Sequence, residues 1–302
     1  MVKSSDKIPA KVFAAIVATG LMSFCGVIVE TSMNIAFPTL MREFGVSTNV
    51  ISWMTSIYLL AISIIVPISA ILKSSYKTKN LFLTANVLFL LGLIVDAIAP
   101  SFVFLLLGRV IQGIATGIAL PLMFNIILEQ VSKSKIGTMM GVGNLITGAA
   151  PALGPTFGGI IINNLGWRWV FYLLIPFIII SLLLGLWGIQ QKSELVKQKI
   201  DVPSFLLIAI FFSGAIYGFS NLSSGNILEI VLPLIFVVIA AILLVRRTKS
   251  LEHPLLKLDL LKNKYFAATV LGFFLIQMIS LGNAFLLPNY IQLTNNSTAM
   301  TA

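Results

Sequence analysis

The chain has 302 residues, 58% of them hydrophobic and 10% charged, with a formal net charge of +10 and a mean hydropathy of +1.02; a soluble domain of this length cannot hide that much apolar side chain. The positive charge forms no basic face for nucleic acid, because its residues sit in short segments that flank apolar stretches. Cys25, the single cysteine, rules out an intrachain disulfide and a cysteine metal cluster.

Lys3, Lys7 and Lys11 precede the first apolar run, as in a secretory signal. No A-x-A site follows, the bulky Phe24 is unsuited to cleavage before Cys25, and the run continues to Pro38. The segment therefore reads as a retained first helix. A membrane crossing takes about 20 apolar residues at about 1.5 Å each. By that measure nine spans are expected, at 12–37, 49–72, 80–100, 102–128, 137–163, 168–189, 203–221, 227–246 and 266–291. Pro100 and the turn Gly166-Trp167-Arg168 make tight connections, which implies antiparallel neighbouring helices.

Basic residues in the connecting segments give the orientation. The N-terminal tail, the second, fourth, sixth and eighth loops hold seventeen Lys and Arg, and the opposite side has only Arg42 and Arg168. The richer side is cytoplasmic, so the N-terminus lies inside. On this reading Glu30, in the first span, and Arg109, in the fourth, share a depth in the outer half of the bilayer and are able to pair. A charge near the middle of a membrane helix costs roughly 2.5–3.5 kcal/mol on insertion scales, which marks both as functional residues.

The fourth span reads Leu105-Leu-Leu-Gly-Arg-Val-Ile-Gln-Gly-Ile-Ala-Thr-Gly117. Arg109, Gln112 and Gly113 fall on one face, presenting a cation, an amide and a notch, while Gly113 and Gly117 form a G-x-x-x-G pair that lets a second backbone approach. The fifth span reads Gly141-Val-Gly-Asn-Leu-Ile-Thr-Gly-Ala-Ala-Pro-Ala-Leu-Gly-Pro-Thr-Phe-Gly-Gly159. Pro151 and Pro155 each remove a backbone donor and bend the axis, while the glycines permit close contact. Such a helix suits a moving interface, although a merely bent structural helix has the same pattern.

These residues carry a resemblance. Gly108-Arg109-x-x-Gln112-Gly113 is similar to the arginine motif of the major facilitator superfamily. Pro151-x-x-Gly154-Pro155-x-x-Gly158-Gly159 is similar to the antiporter motif of its 14-helix drug:proton antiporters, in particular a Gram-positive group that includes lincomycin-export-like proteins. Glu30-Thr31-x-x-Asn34-x-Ala36-x-Pro38, Trp53 with Tyr58 and Leu60, Gly166-Trp167-Arg168-Trp169-x-Phe171, Glu252-His253-Pro254-Leu255 and Pro288-x-Tyr290-x-Gln292 extend the match from about residue 15 to the end. Two places depart from the pattern. The second loop, Ala70-Ile-Leu-Lys-Ser-Ser-Tyr-Lys-Thr-Lys79, lacks the acid and both glycines of G-x-x-x-D-x-x-G-R-[KR], and Ile136 stands where the family places arginine.

The resemblance implies an all-α integral membrane protein of the bacterial cytoplasmic membrane, spanning it several times. It divides into a six-helix N-terminal bundle (1–190), a cytoplasmic loop with two intervening helices (191–246), and a further loop with the first helix of an incomplete C-terminal bundle (247–302). It further implies a proton-coupled antiporter of small hydrophobic or cationic drugs, whose partners are the drug, protons and the lipid bilayer. No nucleic acid, metal or cofactor is implied. Glu30 and Arg109 are the expected proton-coupling pair, with Glu30 protonated in one state and Arg109 holding its ionised form in the other. Asn34, Tyr58, Gln112 and Asn144 are the expected cavity residues. Family members continue through five more helices, so the alternative is a truncated or half transporter, inactive unless a partner chain supplies the missing bundle.

The other polar residues read as structural. Asp96, near the outer end of the third span, reads as interfacial, and Glu129 and Glu229 as solvated helix ends. His253 has no nucleophile beside it, and H-E-x-x-H and G-x-S-x-G are absent, so an enzyme is not expected.

Overall fold

Without water in the hydrocarbon layer, each backbone N–H and C=O must be satisfied within the protein, and a helix does this inside a single segment. The computed structural model describes residues 8–222, 226–252 and 254–294, with the side chains at 284, 285, 288, 289 and 292–294 not described, those of Pro288 and Gln292 among them; Lys3, Lys7, His253 and the segment after Thr294 lie outside it. The helices are α1 (Ala10–Ile35), α2 (Phe37–Phe44), α3 (Thr48–Ile51), α4 (Trp53–Ser75), α5 (Thr78–Ala97), α6 (Phe102–Gln130), α7 (Ile136–Asn164), α8 (Arg168–Gly188), α9 (Val202–Ser220), α10 (Ile227–Ser250) and α11 (Lys264–Thr294), with a 3-10 turn over Leu258–Lys262. Among the described residues nine helical stretches are long and apolar enough to cross a membrane, α3 and α4 together making one of them.

The expected spans correspond one to one with these stretches, and two ends differ for physical reasons. The first was expected to run to residue 37, but α1 stops at Ile35 and a separate α2 begins. Pro38 lacks an N–H and is best accommodated in the first turn of a helix, where it stands in α2. Gly45, at φ 65°, closes α2 in the left-handed region. At the other end of the series, α10 was expected to stop at 246 but continues to Ser250, with Arg247 and Lys249 in its last turn. Cations there face the negative end of the helix dipole.

α1 is the hub. It packs against α6, α7 and α8, while α4 and α5 pack against α6, and α5 against α8. Met22, Val29, Met33, Phe89, Leu93, Phe171 and Ile178 form part of the core between them. α9 and α10 pair with each other, and α9 leans on α4. The apolar window of α1 is 72% buried, against 6% for α10 and 0% for α11, so the core runs along α1 and the later helices turn their apolar faces outward.

At one end of the bundle the segment joining α8 to α9 lies across the helix ends. Val196 N–H donates to Ser74 O at 2.9 Å, Thr78 N–H to Gln191 Oε1 at 2.9 Å, and Gln130 Nε2 to Gln190 O at 3.0 Å. Lys73 and Glu129 form an ion pair between α4 and α6, so Glu129 is not merely solvated. Asp201 caps α9 by accepting from Ser204 N–H at 3.1 Å, and Arg247 of α10 grips the same carboxylate with Nε at 2.7 Å and Nη2 at 2.5 Å. Those hydrogen bonds from Arg247 hold the Asp201 carboxyl well below the usual carboxylate range.

A second clamp holds the opposite end. Glu43, in the last turn of α2, accepts from Trp167 Nε1 and Arg168 Nη1, both at 2.7 Å, and Arg168 Nη2 donates to Ala99 O at 3.0 Å. Partial burial alone raises the Glu43 carboxyl, but the bonds from Trp167 and Arg168 and the Arg168 charge outweigh it and leave it below its ordinary value. A carboxyl depressed in the folded state stabilises above its unfolded pKa of about 4.3, and that gain disappears as pH falls through the folded value. Both side chains of the ion pair are 37% exposed, so its worth is small. Glu43→Gln keeps an acceptor for Trp167 and loses the charge. It should lower stability by about 0.2–1 kcal/mol at neutral pH. In thermal unfolding at a series of pH values, the gap between variant and wild type should close below the carboxylate range; a gap that persists in acid rules out the ion pair as its source.

Candidate functional site

The site is built on α6. Gly113 places its backbone so close to α4 that an added Cβ would stand 2.6 Å from Tyr58 O. That approach puts the Tyr58 ring under Arg109, whose Cζ lies 4.1 Å from the ring centroid. Arg109 is fully buried. Its Nε donates to Met54 O at 3.2 Å and its Nη1 to Gln112 Oε1 at 2.8 Å, the latter across one turn of α6. Tyr58 Oη in turn donates to Thr116 Oγ1 at 3.1 Å. A guanidinium stacked on a ring and bonded to a carbonyl and an amide is held in place without a carboxylate in contact, with Nη2 left over.

Glu30, 6% exposed, enters the same region from α1. It is within electrostatic reach of Arg109 and Tyr58. The direct pair that the shared depth allows does not form: among the described residues the ion pairs join other partners. Depth along two helices is one coordinate of a contact, and Tyr58 of α4 and Gln112 of α6 occupy the guanidinium.

Asn34 lies one turn beyond Glu30 on α1 and accepts from Thr55 Oγ1 of α4 at 2.7 Å. Tyr58 and Gln112 thus sit in the cluster and Asn34 at its edge, whereas Asn144 of α7 is exposed and takes no part in it. The glycine-proline stretch of α7 packs on α1. Ser32 Oγ donates to Gly154 O at 2.8 Å, and a Cβ on Gly158 would stand 2.8 Å from Ser32 Cα. Pro151 and Pro155 lie within α7, and Gly154, Gly158 and Gly159 are all buried.

Asp96 overturns its interfacial reading. It is 0% exposed, lies against Gly108 of α6, and is within electrostatic reach of Arg109. Neither carboxyl oxygen has a hydrogen-bond partner, and the same holds for Arg109 Nη2 and Gln112 Nε2. Position near Pro100 suggested the interface; the neighbouring helix covers the carboxyl instead. The sequence signal was available in Gly92, one turn before Asp96, and Gly108, one turn before Gln112, two notches that let α5 and α6 close together.

The fold and these buried groups define a polytopic membrane protein that carries charge in the interior of its helical bundle. The sequence model of the Major Facilitator Superfamily matches residues 19–302, and the chain belongs to that family. It is 37% identical over 286 residues to the lincomycin resistance protein LmrB of Bacillus subtilis (strain 168), covering 93% of this chain and 60% of that protein. It is 38% identical over 290 residues to the protein of the same name from Listeria monocytogenes serovar 1/2a, covering 95% and 61%. The chain therefore spans about three fifths of the length of these curated relatives. The crystal structure of the POT family transporter PepTSo is similar in fold, with a TM-score of 0.57 at 13% identity over 82% of this chain and 55% of that one.

Proposed function

We propose that the protein exports small hydrophobic or cationic drugs across the bacterial cytoplasmic membrane in exchange for protons. The observation that carries this reading is Glu30: an acid buried in the bundle beside a buried guanidinium that is near but not bonded to it. Such an acid is able to change its protonation without breaking an ion pair. Resistance to lincomycin, the property for which the two bacterial relatives are named, supports a drug as the passenger.

In this reading Glu30 takes up a proton from the outer side and releases it toward the cytoplasm, and the drug moves the opposite way. Arg109 supplies the counter-charge to the ionised acid, while Asn34, Tyr58, Gln112 and Asn144 offer polar and aromatic contacts to the drug. Family transporters work by rocking one bundle against another around a midplane site. The bundle of 1–190 would be one such body, with 191–246 between the bundles and 247–302 opening the second. The α1–α7 seam, close-packed through Gly154 and Gly158, keeps Glu30 fixed to α7 as the bundle turns.

The test uses inverted membrane vesicles from cells expressing the complete coding sequence, with lincomycin and a lipophilic cation as probes. Glu30→Gln should insert normally and lose uptake driven by an imposed pH gradient, at least tenfold below wild type for a residue that carries about 1.4 kcal/mol or more of the coupling. Gradient-driven transport of both probes at the wild-type rate in that variant rejects the role of Glu30.

A further inference from the structure

Two carboxyls are buried in the described bundle, Glu30 and Asp96, and the exchange proposed above uses only the first. Asp96 occupies a defined seam. A Cβ on Gly92 would stand 2.6 Å from Gln112 Cγ and 3.0 Å from Gly108 O, and Asp96, one turn further along α5, fills the space that Gly108 leaves open. Asp96 and Gln112 therefore lie a turn apart on the α5–α6 seam, and Arg109 follows Gly108 on the same helix. In that seam two acceptor oxygens on Asp96 lack donors, and on the same α6 two buried donors, Arg109 Nη2 and Gln112 Nε2, lack acceptors. Arg168, at the start of α8 near this end of α5, is already held by Glu43 and the Ala99 carbonyl, which leaves Arg109 as the cation facing Asp96.

Charge balance decides what such a set can do. Removing ions from water costs several kcal/mol each unless an opposite charge compensates. One buried guanidinium compensates one carboxylate, so two buried carboxyls and Arg109 are neutral as a group only when one acid carries a proton. We propose that Glu30 and Asp96 share Arg109 and a single proton, the guanidinium following whichever acid is ionised. A proton bound at Glu30 is then matched by one released from Asp96, and the reverse. Arg109 stays charged throughout, only O–H bonds form and break, and the net charge of the group is zero in both states. Asp96 is thus a second proton-binding residue, on a different helix from the first.

The inference rests on the role given to Glu30, but its test measures no transport. Dicyclohexylcarbodiimide modifies protonated carboxyls in apolar surroundings, and the adducts are located by peptide mass. In purified protein at neutral pH, Asp96 should be modified in the wild type. In Glu30→Gln, where residue 30 no longer competes for the guanidinium, Asp96 should be modified roughly tenfold less, the change produced by a cation drawn fully to a carboxyl. Glu30→Ala makes the same neutralisation in a smaller side chain and carries the test if the glutamine variant does not accumulate. Equal modification of Asp96 with and without the Glu30 carboxyl overturns the sharing. Lost efflux in Glu30→Gln with unchanged Asp96 modification rejects this inference alone, whereas retained efflux with reduced modification rejects the coupling role and keeps the shared proton.

Discussion

Arg109→Ala should leave the protein in the membrane, without gradient-driven efflux and about 3–5 kcal/mol less stable, the usual cost of removing one member of a buried charge set. The loss has identifiable parts. Met54 O and Gln112 Oε1 lose their donor, the Tyr58 ring loses the group stacked on it at 4.1 Å, and two buried carboxyls lose their shared cation. Arg109→Lys separates charge from shape. It keeps a cation but not the planar fork, which alone reaches a carbonyl, an amide oxygen and a ring face together. The lysine variant should therefore recover part of the stability and little of the efflux. Thermal unfolding in detergent and vesicle uptake read the two quantities independently. An alanine variant that melts like the wild type would mean that the guanidinium does not join α4 to α6.

The positions of the membrane helices were legible because hydropathy along the chain is a one-dimensional signal, and the expected spans agree with α1 and α3–α11 to within a few residues at most ends. The first span was read to residue 37, and the short α2 that opens at Phe37 with Pro38 in its first turn was not expected. What the chain could not give was lateral arrangement. Glu30 and Arg109 were placed at one depth, yet Tyr58 and Gln112 are the groups in contact with the guanidinium. Asp96 was misread, and Asn144 was not seen to lie apart from the Arg109 cluster, for the same reason. The burial of Asp96 depends on Gly108, which belongs to another helix, and the exposure of Asn144 depends on which face α7 turns toward α1. The second clamp was half legible: Trp167 and Arg168 stood in a motif, but their acceptor, Glu43, sits in a segment with no signal of its own.

Gly158→Val should separate α7 from α1. The added Cβ would stand 2.8 Å from both Cα and Cβ of Ser32 and 2.9 Å from its carbonyl oxygen, so the obstacle includes backbone and no rotamer change relieves it. Overpacking a filled seam costs about 1–3 kcal/mol. The shift should also break the Ser32 Oγ bond to Gly154 O and move Thr31, the neighbour of Glu30, with it. Gly148→Ala, about three turns earlier on α7, is the matched control, since a Cβ there meets nothing within 4 Å. In a helix that change gains up to about 1 kcal/mol from propensity alone. The valine variant should unfold at lower temperature and lose efflux, and the alanine variant should unfold no earlier than wild type. Wild-type melting in Gly158→Val would show that the seam tolerates a gap. If Gly148→Ala keeps its stability but loses efflux, the open face of α7 meets another surface during transport, which would give the exposed Asn144 beside it a place in the passenger's path.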